Sequence, residues 1–232
     1  MARLLHLSDL HLGADESGTA EMPAARLSAV LEAAAGRGPF DAVVVTGDVC
    51  DAGAEDDAMS AQQTLSGVAP LLVVVPGNHD RTDVIHRVFG TAGGPLDGWH
   101  IVGVATNIAG EPHGDGRPLA DAISAIDPDR PAIVAHHHPV HSRSTHRWFT
   151  LTNRQRVMAA LEARRSPLMM LSGHTHEPYD RTEGAVRFVG APSTYYGLLH
   201  SGDSWALAEH STGAVVIDIE PTGRSSVEII AG

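Results

Sequence analysis

Seven side chains of metal-binding types stand in five short stretches of the chain. They are Asp9, His11, Asp48, Asn78, His137, His174 and His176. A mixture of carboxylate, imidazole and carboxamide groups suits Mn²⁺, Fe²⁺, Fe³⁺ or Zn²⁺. Seven ligands are too many for one such ion, so the pattern predicts two divalent metal ions that share Asp48. Two ions about 3.5–4 Å apart would clamp a phosphate ester, and a hydroxide that bridges them would attack phosphorus.

Each group of candidate ligands follows a short apolar run that is typical of a buried strand. These runs are Leu4–Leu7, Ala42–Thr46, Leu71–Val75, Ala132–Ala135 and Leu168–Leu171. Because open α/β sheets bind ligands at the carboxyl ends of their strands, we expect the five strand ends to meet at one site. Gly47, Gly77 and Gly173 lie directly before or between these groups, where glycine lets the backbone turn sharply.

The rest of the chain predicts an α/β fold in which helices flank strands. The predicted helices are Pro23–Ala35, Glu55–Leu65, Thr82–Phe89 and Asn153–Arg165. Further strands are predicted at His100–Ala105, Val186–Val189, Trp205–Glu209, Ala214–Ile219 and Val227–Ile230, with surface loops at Gly90–Gly98 and Ala109–Pro118. We expect one domain over residues 1–232, with two sheets packed face to face and helices outside. One sheet should be mixed, and the other should be built largely by the C-terminal strands.

Bulk composition limits the classes of protein to which the chain can belong. A length of 232 residues with 43% apolar content fits one globular domain. The net charge of -12 disfavours nucleic-acid polymers as partners, since these need basic surfaces. We expect a cytoplasmic protein, because Cys50 is the only cysteine and no apolar run is as long as a membrane span. A homodimer is one expected assembly.

Five short motifs follow one another between Leu4 and His176. They are D-x-H, G-D-x-x-D, G-N-H-D, H-x-P and G-H-x-H. In this order they resemble the calcineurin-like metallophosphoesterase family, which implies a four-layer α-β-β-α sandwich of two mixed sheets and a metal-dependent phosphoric ester hydrolase.

The resemblance also implies a role for each motif residue. One metal ion would take Asp9, His11, Asp48 and His176, and the other would take Asp48, Asn78, His137 and His174. His79 would be catalytic, as a general acid or a group that stabilises the transition state. Asp51 and Asp80 match acids that orient their neighbours. Within His136-His137-His138, the H-x-P spacing selects His137, and a register shift of one would select a neighbour.

Residues outside the motifs are harder to interpret. Arg81, His141 and Arg143 could contact the substrate phosphate or could equally be solvated loop residues. The tryptophans are interpreted as packing residues. Tyr195 and Tyr196 could flank a pocket, although packing is the commoner role of such tyrosines.

Departures from relatives narrow the choice of ester. Ala52 and Asp80 stand where protein phosphatases of this superfamily carry Arg and Glu, which disfavours a phosphoprotein substrate. The stretch RFVGAPSTYYG is similar to bacterial class III cyclic-nucleotide phosphodiesterases and glycerophosphodiesterases. We therefore expect a small phosphodiester substrate, with 3',5'-cyclic AMP as the leading choice. Alternatives are a broad-specificity phosphoesterase acting on glycerophosphodiesters or phosphomonoesters, a DNA exonuclease-like enzyme, and a non-catalytic scaffold on the same fold.

Overall fold

The computed structural model describes residues 1–14, 22–90, 93–208 and 211–232. These residues form the strands β1 Ala2–Leu7, β2 Ala42–Thr46, β3 Leu71–Val75, β4 Gly93–Leu96, β5 Trp99–Gly103, β6 Asn107–Ile108, β7 Glu111–Asp115, β8 Ala132–Ala135, β9 Leu151–Thr152, β10 Leu168–Ser172, β11 Tyr179–Glu183, β12 Val186–Gly190, β13 Gly197–Ser201, β14 Ser204–Ala208, β15 Gly213–Ile219 and β16 Ser225–Ala231. The helices are α1 Pro23–Ala35, α2 Glu55–Leu65, α3 Thr82–Phe89, α4 Arg117–Ala125 and α5 Arg154–Glu162, with a 3-10 turn at Arg147–Phe149.

Local sequence explains why the first helices form where they do. Pro23 occupies the first turn of α1, where its missing N–H costs nothing, and Leu27, Val30 and Ala34 repeat at helical spacing on the buried face. The first turn of α2 contains three acidic residues, which the partial positive charge of a helix N-terminus favours. Both helices therefore present an apolar stripe to the sheet beside them.

Two sheets form the centre of the molecule. The first has the strand order β16-β15-β1-β2-β3, in which β1, β2 and β3 are parallel and β15 and β16 are antiparallel additions. The second has the order β11-β12-β10-β8-β5-β4, with a parallel centre and an antiparallel strand at each edge. The strands that precede the candidate ligands thus run parallel within each sheet, so their carboxyl ends share an edge.

Three apolar clusters hold four layers together. One cluster packs α1, α2 and α3 against the outer face of the first sheet, and another fills the space between the sheets with residues such as Val44 and Ile133. The third packs α4 and α5 against the outer face of the second sheet. The central strands β2 and β10 are buried on both faces, which explains their uninterrupted apolar runs. The expected α-β-β-α sandwich is confirmed.

The sheet membership predicted for the C-terminal strands is wrong. β15 and β16 extend the sheet that contains β1, and β12 joins the sheet that contains β10. Neither central sheet is therefore built mainly from C-terminal strands, although β13 and β14 form a small sheet of their own. Apolar alternation shows that a segment is a strand, but backbone hydrogen bonds choose its neighbour, and any buried strand can satisfy them.

Both predicted surface loops contain regular structure. β4 lies within Gly90–Gly98, of which Thr91 and Ala92 lie outside the described residues, and β7 and the start of α4 occupy Ala109–Pro118. Their glycine and proline residues made these segments resemble loops. Such residues are tolerated in β4, because it is an edge strand of its sheet. The predicted strand Trp205–Glu209 corresponds to β14, with Glu209 outside the described residues. Among those residues, no helix has the length and apolar character needed to cross a membrane.

Candidate metal centre

The seven candidate ligands lie just beyond the carboxyl ends of five parallel strands. Asp9 and His11 follow β1, Asp48 follows β2, and Asn78 follows β3. His137, His174 and His176 come from the second sheet, after β8 and β10. Six of the seven are buried, and Asn78 is partly exposed.

The backbone at this edge is held in an uncommon conformation. Asp9, His11, Asp48, His174 and His176 all have left-handed backbones, with φ between 48° and 69°. For residues other than glycine this region is sparsely populated and costs about 1–3 kcal/mol each. Five such residues at one site indicate that the surrounding fold imposes the turn in order to aim these side chains inward.

Glycines let the ligand-bearing loops pack closely against one another. A side chain at Gly77 would collide with the carboxylate of Asp48, and one at Gly173 would collide with Ser8 and approach Asp9 Oδ2 within 2.6 Å. At Gly47, φ is 92° and an added Cβ would lie 2.5 Å from His137 Nδ1. The predicted close approach is confirmed at all three glycines, and the left-handed backbone of Gly47 confirms the sharp turn there.

The first group of ligands brings three nitrogen and oxygen atoms together. His11 Nε2 lies 3.3 Å from His176 Nε2, and His176 Nε2 lies 3.3 Å from Asp9 Oδ1. Both histidines use their other ring nitrogen as a donor: His11 Nδ1 donates to Asp51 at 3.0 Å, and His176 Nδ1 donates to the carbonyl of Tyr196 at 2.7 Å. In the neutral rings, the two Nε2 lone pairs therefore face each other, which is repulsive unless a cation lies between them.

The second group also brings nitrogen and oxygen atoms together. His137 Nδ1 donates to the carbonyl of Thr46 at 2.6 Å, and its Nε2 lies 3.0 Å from Asn78 Oδ1 and 3.3 Å from Asp48 Oδ2. Asp48 Oδ2 is also 3.9 Å from His11 Nε2. Asp48 thus lies between the two groups, in the position that a shared ligand requires.

His174 lies beside His137 and has one ring nitrogen available for a ligand. Its Nε2 donates to the carbonyl of Trp148 at 2.8 Å, which leaves Nδ1 as the nitrogen with a free lone pair. The ring centroid of His174 lies 4.8 Å from that of His137. The backbone N–H of His174 donates to Asp9 at 3.0 Å, which connects the two groups.

The three adjacent histidines of residues 136–138 face different partners. His137 is the member that faces Asp48, because His138 uses Nδ1 and Nε2 on Thr106 and the carbonyl of Pro112. His136 turns its Nδ1 to the carbonyl of His138, so neither neighbour replaces His137 opposite Asp48.

Burial and charge act against each other in this centre. Burial would raise the pKa of Asp48, but nearby His137 holds it well below its ordinary value. Burial also lowers the pKa of His137, yet Asp48 outweighs it and raises the pKa to about 9. In Asp9, burial is again overcome by His176, and the pKa falls to about 2. Burial, followed by the charge of His137, lowers the pKa of His174 to about 3. Two buried carboxylates therefore stay charged and attract cations.

The spacing of these atoms fits bound metal ions. Metal–ligand bonds of about 2.0–2.2 Å place neighbouring ligand atoms roughly 3.0–3.5 Å apart. The separations of 3.0–3.3 Å within the two groups match this value. Each histidine also has its other nitrogen held by an oxygen, the arrangement that fixes the tautomer of a metal-binding imidazole. The donor set therefore fits a pair of divalent ions.

His79 lies beside the candidate ligands and lines the same cavity. Its Nδ1 donates to the carbonyl of Asp51 at 2.8 Å, and its backbone N–H donates to Asp48 Oδ1 at 2.9 Å. Although burial lowers the pKa of His79, Asp48 and the carbonyl of Asp51 raise it more, and the net shift is upward. A raised pKa favours the protonated imidazole, which is the form that can donate a proton from Nε2.

Asp80 connects two ligand loops without reaching the cavity. Its carboxylate accepts hydrogen bonds from the backbone N–H groups of Val49, Cys50 and Gly77, at 3.1, 2.9 and 2.9 Å. Val49 and Gly77 flank Asp48 and Asn78 in the sequence, so Asp80 fixes the relative position of these two side chains. This is the orienting role that the motif resemblance implies.

The cavity has a polar floor and an apolar wall. Its volume is about 580 Å³, and its floor is lined by His79 and five of the seven candidate ligands, namely His11, Asp48, Asn78, His174 and His176. The wall contains aromatic and aliphatic side chains, namely Trp148, Phe149, Tyr196, Leu198, Trp205 and Leu207. Sequence reasoning interpreted the tryptophans as packing residues. The signal that could have found part of this wall is the period-two alternation of Trp205 and Leu207 in β14.

The three residues predicted to contact substrate lie outside this cavity. Arg81 is 64% exposed and pairs with Asp83, and Arg143 is 75% exposed and pairs with Glu177. His141 packs edge-on against Phe188 and lines a separate depression. Their proximity in sequence to the candidate ligands therefore does not bring them into the cavity lining.

Comparisons with known proteins agree with the motifs. The profile of the family described as Calcineurin-like phosphoesterase matches residues 2–178. The chain is 28% identical over 239 residues to a 3',5'-cyclic adenosine monophosphate phosphodiesterase of Pseudomonas aeruginosa, covering 95% of this chain and 86% of the relative. It is 22% identical over 247 residues to a 3',5'-cyclic-nucleotide phosphodiesterase of Nostoc sp., covering 97% and 91%. The fold is similar to that of a dimetal phosphatase from Danio rerio, with a TM-score of 0.68, 14% identity and coverage of 99% and 96%.

Proposed function

Since the chain belongs to the calcineurin-like phosphoesterase family and is a metal-dependent phosphoesterase, we propose that it hydrolyses a small phosphodiester with two divalent ions. The substrate that we expect is 3',5'-cyclic AMP. The observation that carries the proposal is the position of Asp48 Oδ2, which lies 3.3 Å from His137 and 3.9 Å from His11. A carboxylate between two ligand groups is what a pair of ions requires.

We expect Asp9, His11, Asp48 and His176 to hold one ion, and Asp48, Asn78, His137 and His174 to hold the other. Such ions, when bound, neutralise phosphate charge and make water a stronger nucleophile. Asp51 and the carbonyls of Thr46, Tyr196 and Trp148 keep the imidazole rings in the tautomers that expose the binding nitrogens. The contribution of these residues to the mechanism is therefore to hold the metal-binding nitrogen and oxygen atoms in fixed positions.

His79 is the residue that we expect to move a proton. Its Nδ1 is committed to the carbonyl of Asp51, so its Nε2 is the nitrogen available to the substrate. Protonation of the leaving alkoxide oxygen by this nitrogen would allow the P–O bond to break without releasing an unstabilised alkoxide. Loss of the imidazole should lower kcat by about 100- to 10,000-fold, the usual contribution of a general acid.

The choice of a cyclic nucleotide is supported by relatives and by the cavity. Two of the relatives are named as phosphodiesterases of cyclic nucleotides. A cavity of about 580 Å³ is also in the usual range for small-molecule sites. Glycerophosphodiesters remain the alternative substrates, since they would use the same metal centre. A cytoplasmic location and a homodimer stay predictions from the sequence.

The test combines metal content with turnover. We expect the manganese-loaded protein to hold two ions per chain and to hydrolyse bis(p-nitrophenyl) phosphate and 3',5'-cyclic AMP. Asp48→Ala and Asn78→Ala should abolish turnover, whereas Asp83→Ala, which removes an exposed acid outside the cavity, should leave it unchanged. Retained turnover in both ligand variants would refute the mechanism. A folded wild-type protein that binds no metal would instead support the scaffold alternative.

A further inference from the structure

One wall of the cavity is formed by a hairpin that belongs to neither central sheet. β13 and β14 pair only with each other among the described residues. In their register Leu198 pairs with Leu207 and His200 pairs with Trp205, so these four side chains share one face. The cavity lining includes three of them, and Leu199 lies on the opposite face with 58% exposure.

The hairpin is fixed against the metal centre. His200 Nε2 donates to the carbonyl of Thr175, which lies between two candidate ligands, at 2.9 Å. The turn of the hairpin is held from the other side, where the N–H of Thr145 donates to the carbonyl of Gly202 at 2.8 Å. The wall is therefore attached to the loop that carries His174 and His176.

Aromatic rings continue from the hairpin to the floor of the cavity. The ring centroids of Trp148 and Trp205 lie 5.3 Å apart. Phe149 lies 5.4 Å from Trp205 and 5.3 Å from His174, so an unbroken series of rings leads to a candidate metal ligand. Trp148 has two separate roles. Its side chain forms part of the wall, and its backbone carbonyl accepts the hydrogen bond from His174.

The apolar side chains at the mouth of the cavity are more exposed than packing residues usually are. Trp148 is 41% exposed, Trp205 is 39% exposed and Leu207 is 45% exposed, all beside one cavity. A contiguous apolar surface at the mouth of a polar site is a common mark of ligand binding. No arginine lines the cavity in the described part of the chain, so the wall offers no charged fork for a second phosphate.

We propose that Trp148 and Trp205, supported by Leu207, bind the flat aromatic ring of the substrate's organic group while the metal centre binds its phosphate. The inference rests on the proposed phosphodiesterase function and adds the residues that set its specificity. Flat rings such as nucleobases stack on tryptophan faces and need no particular hydrogen bond to do so. The substrate class is accordingly phosphodiesters of aromatic alcohols and of nucleosides, in preference to glycerol diesters.

Binding of the product measures the wall separately from turnover. We would titrate adenosine 5'-monophosphate and inorganic phosphate into the manganese-loaded protein by calorimetry, because the two ligands share the phosphate and differ in the ring. Trp205→Ala and Trp148→Ala should weaken binding of the nucleotide by about 5- to 150-fold, the range found for stacking of one base, and leave phosphate binding unchanged. Trp205→Phe keeps a ring and should restore most of the affinity.

Leu199→Ala is the matched control, because it truncates an apolar side chain on the outer face of the same hairpin. It should change neither affinity. The inference is overturned if wild type binds the nucleotide no more tightly than phosphate, or if the tryptophan variants bind it as wild type does. A wild-type protein that binds the nucleotide but hydrolyses no phosphodiester would refute the proposed function and leave the ring-binding wall intact.

In a second arm, kcat/KM is compared for 3',5'-cyclic AMP and for the same cyclic ribose phosphate without its base. Trp205→Ala should lower kcat/KM for the nucleotide by the same 5- to 150-fold and leave the base-free ester unaffected. Equal losses on both esters would show that the tryptophan acts on the fold of the site, and would overturn the inference.

Discussion

Asp80 provides a sharp test of how the metal centre is assembled, because it touches the ligand loops and not the cavity. Its buried carboxylate accepts three backbone hydrogen bonds, from Val49 and Gly77 on Oδ2 and from Cys50 on Oδ1. We consider Asp80→Ala, which removes both oxygens, and Asp80→Asn, which keeps one. In the asparagine variant, an amide oxygen at the Oδ2 position retains two of the bonds and turns an NH₂ group towards the N–H of Cys50.

The expected magnitudes follow from the number of donors left without an acceptor. A buried donor that loses its partner costs about 1–3 kcal/mol. Three such donors in Asp80→Ala should lower the free energy of unfolding by about 3–9 kcal/mol, and the single one in Asp80→Asn by about 1–3 kcal/mol. Both variants should also bind metal more weakly, because Asp48 and Asn78 lose their fixed separation.

The free energy of unfolding is measured by urea denaturation after a chelator has removed bound metal. The manganese affinity of each variant is then measured by titration. Asp83→Asn is the control, because its carboxylate is exposed and pairs only with arginines at the surface. It should shift the free energy of unfolding by less than about 1 kcal/mol. The reasoning is refuted if Asp80→Ala is no less stable than Asp80→Asn, or if both retain wild-type metal affinity.

Three further predictions concern protonation, ligand orientation and close packing. Burial lowers the pKa of His6 to about 3, so the unfolded chain binds a proton between pH 6.5 and 3 that the folded chain does not. Stability is therefore lost as pH falls through this window. His6→Gln should reduce the slope of the free energy of unfolding against pH, measured by urea denaturation, by about 1.4 kcal/mol per pH unit. Equal slopes for the variant and the wild type would contradict this prediction. Asp51→Asn should weaken metal binding by about 10- to 100-fold in calorimetry, because His11 Nδ1 loses its carboxylate partner, and unchanged affinity would argue against that role. Gly173→Ala should displace Asp9 and reduce manganese binding, whereas Gly36→Ala, where an added Cβ meets no atom within 4 Å, should not; equal binding by the two variants would count against this packing.

Helices and strands could be predicted well where residues close together in the sequence determine them. The bounds of β2, β3, β8, α1, α2 and α3 coincide with those predicted. By contrast, the helix predicted at Asn153–Arg165 ends early, at Glu162. It begins at Arg154, because Asn153 has a left-handed backbone with φ of 55°. α4 was missed because its sequence begins with Arg117 and Pro118 after a glycine-rich stretch, so the composition resembles a loop while Leu119 and Ile123 face the core.

The sequence alone determined the family, the candidate metal-binding side chains and the strand ends that carry them, because each motif is a local combination of a buried strand, a glycine and a candidate ligand. Tertiary structure decided which strands are neighbours, which of three adjacent histidines faces Asp48, and that Trp148 and Trp205 stand over the same cavity. These outcomes depend on contacts between residues far apart in the chain. Such contacts are set by backbone pairing and side-chain packing in three dimensions, and residue type and spacing leave several arrangements equally compatible.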